Sequence, residues 1–378
     1  MNALPSKNRV AFSVTNCICF DQRVIKMAEA LNQLNYSIVI IGRRREHSCD
    51  LISLPFRTRR FRMIFKRGFL FYGFFNIRLF FHLVFHRYNL LVANDLDTLL
   101  PSYLVSRLMH VPLVYDSHEY FTGVPEIQER PFVKWVWTAI ERSIFPHLEY
   151  VLTVGDRIAE KYHGLYGIRP VTVRNCARSA SSMKGYTRRE LNVNDGDLLL
   201  ILQGTGINAD RGGEELMDAI AGAENVILLI VGSGDLIPAM KMKALSLKIT
   251  DKVRFIPAVP WNEMMRYAKS ADAGLSLDKE TNENHLFSLP NKLFDYISAG
   301  IPVIAGSLPE VNGIIAEYNC GIIIRPVSSD SIKKAVITLR DDRRLLEELK
   351  RNSEKAFLSL NWEKESEKVL DLYKSLIN

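Results

Sequence analysis

Residues 284–296 read Asn284-His285-Leu286-Phe287-Ser288-Leu289-Pro290-Asn291-Lys292-Leu293-Phe294-Asp295-Tyr296, and a little further on comes Gly300-Ile301-Pro302-Val303-Ile304-Ala305. Ser288-Leu289-Pro290 reads as a helix start, because Pro290 fits a first turn where its missing N–H would have had no partner. The amides of that turn, with the helix dipole behind them, offer a site to an anion such as a diphosphate. Asn291 and Asp295 lie four apart and share a face, while Leu293, Phe294 and Ile297 point to an apolar one. Gly300 stops the helix, and residues 301–305 have the composition of a buried strand. A carboxylate just above an anion-binding helix end can accept hydrogen bonds from a ribose diol, which suits a nucleoside diphosphate. The same pattern is also ordinary α/β architecture.

At 378 residues the chain is long enough for two domains of typical size. A hydrophobic content of 47% with 24% charged residues excludes an intrinsically disordered chain. The net charge of +7 calls for an anionic partner: nucleic acid, a phosphorylated substrate or a membrane surface. Cys17, Cys19, Cys49, Cys176 and Cys320 are scattered, with no CxxC and no paired histidine spacing. That argues against zinc or a disulfide framework and suits a reducing cytoplasm. Residues 1–7 lack the apolar core of a signal peptide, and residues 10–14 read as a first strand, so a cytosolic protein is expected.

Short apolar runs at 10–14, 37–41, 90–93, 111–115 and 150–154 alternate with helical patterns such as 23–32, the mark of parallel βαβ units. Runs at 198–202, 226–231, 253–256, 273–277, 303–305 and 321–324 repeat the scheme. The polar, small-residue stretch 176–185 between the halves reads as a linker. The first βα turn, Thr15-Asn16-Cys17-Ile18-Cys19-Phe20-Asp21, holds no glycine. A dinucleotide site needs G-x-G-x-x-G there for close approach of the pyrophosphate, which argues against a dehydrogenase.

The string from Leu289 to Ala305, LPNKLFDYISAGIPVIA, resembles the donor-site segment of the family 4 glycosyltransferases, retaining enzymes of the GT-B fold. It is most similar to the subgroup in which the motif reads slPNKlFeY. The resemblance runs along the chain through Phe20-Asp21-Gln22-Arg23 and the helix after it, Asp95-Leu96-Asp97-Thr98-Leu99, Tyr115-Asp116-Ser117-His118-Glu119, Gln203-Gly204-Thr205-Gly206, Arg211-Gly212 and Val231-Gly232-Ser233-Gly234. It implies two Rossmann-like, doubly wound α/β domains facing a central cleft. These would be an acceptor-side domain at 1–178, a nucleotide-sugar domain at 186–358, and a C-terminal helix at 359–378 crossing back to the first. It also implies that Asp295, in the place of a family Glu, binds the donor's ribose. A second family Glu falls at Phe287, so Glu283 or Asn284 is left to contact the donor sugar. Arg211, where the family has Lys-Gly, would pair with the leaving diphosphate, and Lys292 is a candidate second cation. With Gly204, Gly206, Ser288, Leu289, Pro290 and Asn291 these residues make up the expected donor site.

Asp95 and Asp97 have the spacing of a metal chelate, but they join a strand to the helix that follows, and the expectation is that Asp97 caps that helix. No metal and no cofactor is expected. His118, at the end of a strand, is read as a cleft residue bonding donor sugar or acceptor, with Glu119 as its orienter. Residues 57–67 carry six cations and precede an aromatic run ending at Phe85, too polar for a secure membrane span. Residues 57–75 are expected to touch an anionic membrane, and much of 77–85 to be core. No nucleic-acid module is present. The chain reads as a retaining, metal-independent hexosyltransferase. It would move sugar from a nucleoside-diphosphate donor, UDP in preference to GDP, to a saccharide acceptor, a lipid-linked polysaccharide intermediate at the inner face of the cell membrane. A sugar-nucleotide epimerase of the same fold, and a non-catalytic membrane-associated partner, are the alternatives.

Overall fold

The computed structural model describes residues 8–16, 18, 21–44 and 54–376, with Pro125 and Glu126 in backbone only. The readings made on residues 1–7, Cys17, Cys19, Phe20 and Cys49 lie outside the described residues. The chain divides into two compact units, one of Met1–Arg174 with Ser366–Asn378, the other of Asn175–Glu365.

In the first unit β1 (Arg9–Ser13), α1 (Gln22–Gln33), β2 (Ser37–Arg43), β3 (Arg57–Phe61), α2 (Gly68–Phe85), β4 (Leu90–Asn94), α3 (Leu96–Met109), β5 (Leu113–Ser117), α4 (Pro125–Gln128), α5 (Pro131–Ile144), β6 (Tyr150–Thr153), α6 (Asp156–Tyr166) and β7 (Val171–Thr172) follow in order. Their strands form one parallel sheet, β3-β2-β1-β4-β5-β6-β7. Val10 pairs with Ile38 on one side and Leu90 on the other, so the order reverses beside β1. The central strands β4 and β5 are buried along their whole length because helices cover both faces, and each opens on an apolar run. The steps β3 to β4, β4 to β5 and β5 to β6 all cross the sheet in one direction. Right-handed crossovers therefore set α2, α3 and α5 side by side on one face, and α1, on the reverse step, on the other. The basic run 57–61 is itself the edge strand β3, which apolar patterning does not reveal. Arginines suit an edge because they oppose pairing with a further strand.

In the second unit β8 (Leu198–Gly204), α7 (Gly213–Ala221), β9 (Val226–Gly232), α8 (Ile237–Ser246), β10 (Val253–Ile256), α9 (Trp261–Ser270), β11 (Ala273–Ser276), α10 (Glu283–Phe287), α11 (Asn291–Ala299), β12 (Val303–Gly306), α12 (Pro309–Tyr318), β13 (Gly321–Ile324), α13 (Ser329–Asp341) and α14 (Arg343–Phe357) build a parallel sheet of order β10-β9-β8-β11-β12-β13. The order reverses again, here between β8 and β11. The final helix, α15 (Trp362–Ser375), begins in this unit and from Ser366 belongs to the first, where Tyr373 is fully buried. The stretch 176–185 is not a free linker. Cys176, Ala177 and Ala180 are buried in the core of the second unit with Leu199 and Ile201, since small side chains fit a tight seam as well as they fit a loose chain.

Candidate functional site

Open α/β sheets bind ligands outside the carboxyl ends of strands at such a reversal. In the second unit Gln203 and Gly204 end β8, and Asp278 stands two residues past β11. Asp278 is buried and accepts from Arg211 Nη1 at 3.0 Å, Lys292 Nζ at 3.2 Å and Ser276 Oγ at 3.3 Å. Burial disfavours its charge, but Lys292 and then Arg211 outweigh burial and hold the carboxyl below its ordinary 3.8. One anion between two cations leaves a single positive charge in excess. Arg211 is thus anchored and not simply solvated. It precedes Gly212, the N-cap of α7, where φ is +68° and an added Cβ would stand 2.5 Å from Leu277 Cβ, so a side chain is excluded.

The loops after β8 and β9 lie against each other. A side chain at Gly232 would strike the Gly204 carbonyl, which accepts from Ser233 N at 2.9 Å, and Ile207 N donates to Ser233 O at 3.0 Å. Gly206 stands in open space, and nothing around it demands glycine.

The expected helix start is displaced by one residue: Pro290 is the N-cap of α11, with ψ of 131°, and the helix begins at Asn291. A proline ring fits that extended position as well as it fits a first turn. Ser288 Oγ donates back to His285 O at 2.9 Å, which leaves it an acceptor toward a ligand, and Leu289 is part of the core and could meet one only through backbone. Asn291 Oδ1 accepts from Asn175 Nδ2 at 2.9 Å. Asn284 lies on the separate short helix α10, capped where Asn282 Oδ1 accepts from His285 N. Asp295 accepts from Gln203 Nε2 at 3.0 Å and from Trp261 Nε1 at 3.1 Å, one donor on each oxygen. The two donors come from β8 and α9 and set the plane of the carboxylate. The Tyr296 hydroxyl lies 3.2 Å from the carbonyls of both Ile201 and Leu275 and accepts from Gln203 N at 3.3 Å. It thereby ties α11 to the two strands that flank the reversal. Gln203 and Tyr296 stand in the quoted motifs without a role read for them, and Trp261 and Asp278 lie outside any motif. The signal that finds Gln203 and Asp278 is a polar residue at or just past the end of a buried strand.

The first unit has its own polar cluster beside the β1–β4 reversal. Arg23, buried on α1, brackets Asp116 with Nε at 3.1 and 3.0 Å and Nη2 at 2.6 Å, and Nη1 donates to Val173 O at 2.7 Å. Burial works against the Asp116 charge, but Arg23 overrides it and holds the carboxyl far down. An arginine on the apolar face of an amphipathic helix is the sequence signal for this pair. Asp95, at φ +60°, is the N-cap residue of α3, and its Oδ1 accepts from His118 N at 2.8 Å. The expectation that Asp97 caps this helix is overturned. The helix begins a residue before it, and Asp97 turns inward to accept from Thr15 Oγ1. Burial, then the Asp95 charge, pushes Asp97 to about 8. His118 Nδ1 is 3.4 Å from Asp95 Oδ2, and Nε2 is 3.5 Å from Asp116 Oδ2 without hydrogen-bond geometry. These two carboxylates, which spacing does not assign to the ring, outweigh burial and raise His118 to about 10. Both carboxylates thus favour the protonated ring at neutral pH. Among the described residues no three His, Cys, Asp or Glu side chains form a metal-binding group.

Two family models divide the chain between them: Glycosyltransferase Family 4 over residues 22–177 and Glycosyl transferases group 1 over residues 187–356. The chain is a family 4 glycosyltransferase. Solved structures show the glycosyltransferase's fold. Sucrose-phosphate synthase of Thermosynechococcus elongatus superposes with a TM-score of 0.78 at 17% identity, over 98% of this chain and 99% of that one. Anabaena HepE, solved with UDP and glucose, gives 0.78 at 14% identity over 97% and 100%. WaaG, a glycosyltransferase of lipopolysaccharide biosynthesis, gives 0.74 at 16% identity over 96% and 99%. No curated protein matches by sequence. The glycosyltransferase has the GT-B fold, with the two Rossmann-like sheets described above.

Proposed function

We propose that this glycosyltransferase transfers a hexose, with retention and without a metal, from a nucleoside diphosphate to a saccharide acceptor, a lipid-linked polysaccharide intermediate at the cytoplasmic membrane face. The observation that carries the reading is the Arg211–Asp278–Lys292 bridge at the β8–β11 reversal, with Lys292 on the helix that also bears Asp295. As the glycosidic bond breaks, negative charge grows on the leaving diphosphate. Two cations already held in place stabilise that charge more in the transition state than in the ground state, the role a divalent ion plays elsewhere. Asp295, aimed by Gln203 and Trp261, receives the ribose hydroxyls. His118 is protonated at neutral pH, so it donates a hydrogen bond to a sugar or acceptor oxygen and takes no proton. The acceptor's proton then passes to the departing phosphate oxygen on the same face, which returns the sugar with its configuration kept. UDP is the first nucleotide to test, because the HepE structure holds it.

The test is a thermal-shift screen of sugar nucleotides, followed by transfer assays that read the anomeric configuration of the product. A UDP-sugar should raise the melting temperature, and nucleotide should be released only when acceptor is present. Interconversion of sugars without an acceptor would instead select the epimerase, and an inverted product would remove the same-face mechanism.

A further inference from the structure

We propose that the outer surface of α2, α3 and α5 is a docking face for an anionic lipid bilayer, with α2 lying flat along the membrane instead of crossing it. The purpose of such a face rests on the lipid-linked acceptor proposed above, while the observations behind it are independent of that reading. By length and composition α2 could span a membrane: 18 residues at a mean hydropathy of 1.5. One of its faces is already committed to the fold. Phe71, Phe75, Leu79 and Leu83, every fourth residue, are buried, and Phe75 packs edge-on to Phe61 of β3. Asn76 Nδ2 donates to Asp97 O at 3.0 Å, and His82 Nε2 meets Tyr88 Oη at 3.1 Å. Withdrawing the helix into lipid would strip these contacts from the sheet.

The opposite face is apolar and open. Phe69 (79% exposed), Leu70, Ile77, Phe81 and Phe85 (76%) run along the whole helix. This corrects the expectation that 77–85 is mainly core: a four-residue spacing of buried positions leaves the next line of aromatic residues in solvent. Leu104, Leu108 and Met109 on α3 and Phe132 (74%) and Trp135 (66%) on α5 are exposed too. The crossover rule puts all three helices on one side of the sheet, so these side chains share one layer and are not scattered. Single exposed apolar residues are unremarkable, whereas an apolar layer marks an interaction surface.

Charge selects the occupant. From residue 51 to 94 the sequence has eight Arg and Lys and no Asp or Glu. Arg57, Arg59, Arg62, Lys66 and Arg67 are exposed at the near edge of the layer, and Arg130 and Lys134 flank the α5 aromatics. A second copy of this face would bring like charges together. An anionic bilayer offers phosphates to the cations and hydrocarbon to the rings at the depth of one helix.

The full chain is sedimented with vesicles of phosphatidylglycerol and phosphatidylcholine, or of phosphatidylcholine alone, with no donor or acceptor present. Binding to the mixed vesicles alone is expected, falling as salt rises and leaving a salt-resistant remainder. Arg57→Gln, Arg59→Gln and Arg62→Gln together should remove the salt-sensitive part. Phe81→Gln, Phe85→Gln and Trp135→Gln should remove the remainder, with the thermal-shift response to UDP unchanged in both sets. Equal binding to neutral vesicles, no binding to either, or a salt-stable dimer closed through this face would overturn the proposal. Because sedimentation reads no chemistry, a failed glycosyl-transfer assay leaves this result standing, and a failed sedimentation leaves the donor site untouched.

Discussion

Asp278→Asn removes the one anion between Arg211 and Lys292 while keeping the shape of the side chain, so its consequence is almost wholly electrostatic. Breaking a buried ion pair by removing one partner costs about 3–5 kcal/mol. Arg211 is 34% exposed, so its share is screened toward the roughly 0–1 kcal/mol of a surface pair. Lys292, at 11%, carries most of the loss. A net destabilisation of about 2–3 kcal/mol follows. In a unit of this size 1 kcal/mol moves Tm by about 2–4 °C, so the second unit's calorimetric transition should fall by about 4–12 °C. UDP should restore more stability in the variant than it adds to the parent, because two cations without a counterion gain more from a diphosphate. The Asp278 carboxyl is depressed in the folded state, so its stabilisation is present above the ordinary 3.8 and lost as pH falls through the lower folded value. That loss in acid should shrink in the variant. If UDP protects both proteins equally, the two cations do not share a diphosphate, and the site assignment fails.

Asp295→Ala should weaken UDP binding by about 1.5–3 kcal/mol, roughly 10–150-fold by titration calorimetry, and an unchanged Kd would remove it from the ribose site. His118, raised to about 10, contributes stability that is full below its ordinary 6.5 and lost as pH rises through about 10. Melting of the first unit should therefore decline over that window in the parent and not in His118→Gln, and an imidazole NMR titration near 6.5 would contradict the cationic role. Transfer should survive EDTA, and full loss with rescue by Mn²⁺ would return the diphosphate to a metal.

Apolar runs determined eleven of the thirteen strands among the described residues, the alternation with helices and hence the doubly wound class, because a parallel strand covered on both faces is rich in apolar residues. Local patterns also marked α11, its Gly300 stop and Asp295, since turns and helix ends are local matters, whereas Arg211 and Lys292 came from the family resemblance. Edge strand β3 and two-residue β7 escaped, β3 because its run is basic and β7 because two residues show no pattern. Only the tertiary structure decided which charges meet. Asp278 joins Arg211 to Lys292 across 67 and 14 residues of chain, Gln203 reaches Asp295 across 92, and Arg23 finds Asp116 across 93. It likewise turned Asp97 from a cap into a buried acid and left one line of α2 rings open. The reason is physical: a side chain's secondary structure depends on its near neighbours, but its protonation state and partners depend on whatever the strand order of the sheet brings to the same edge.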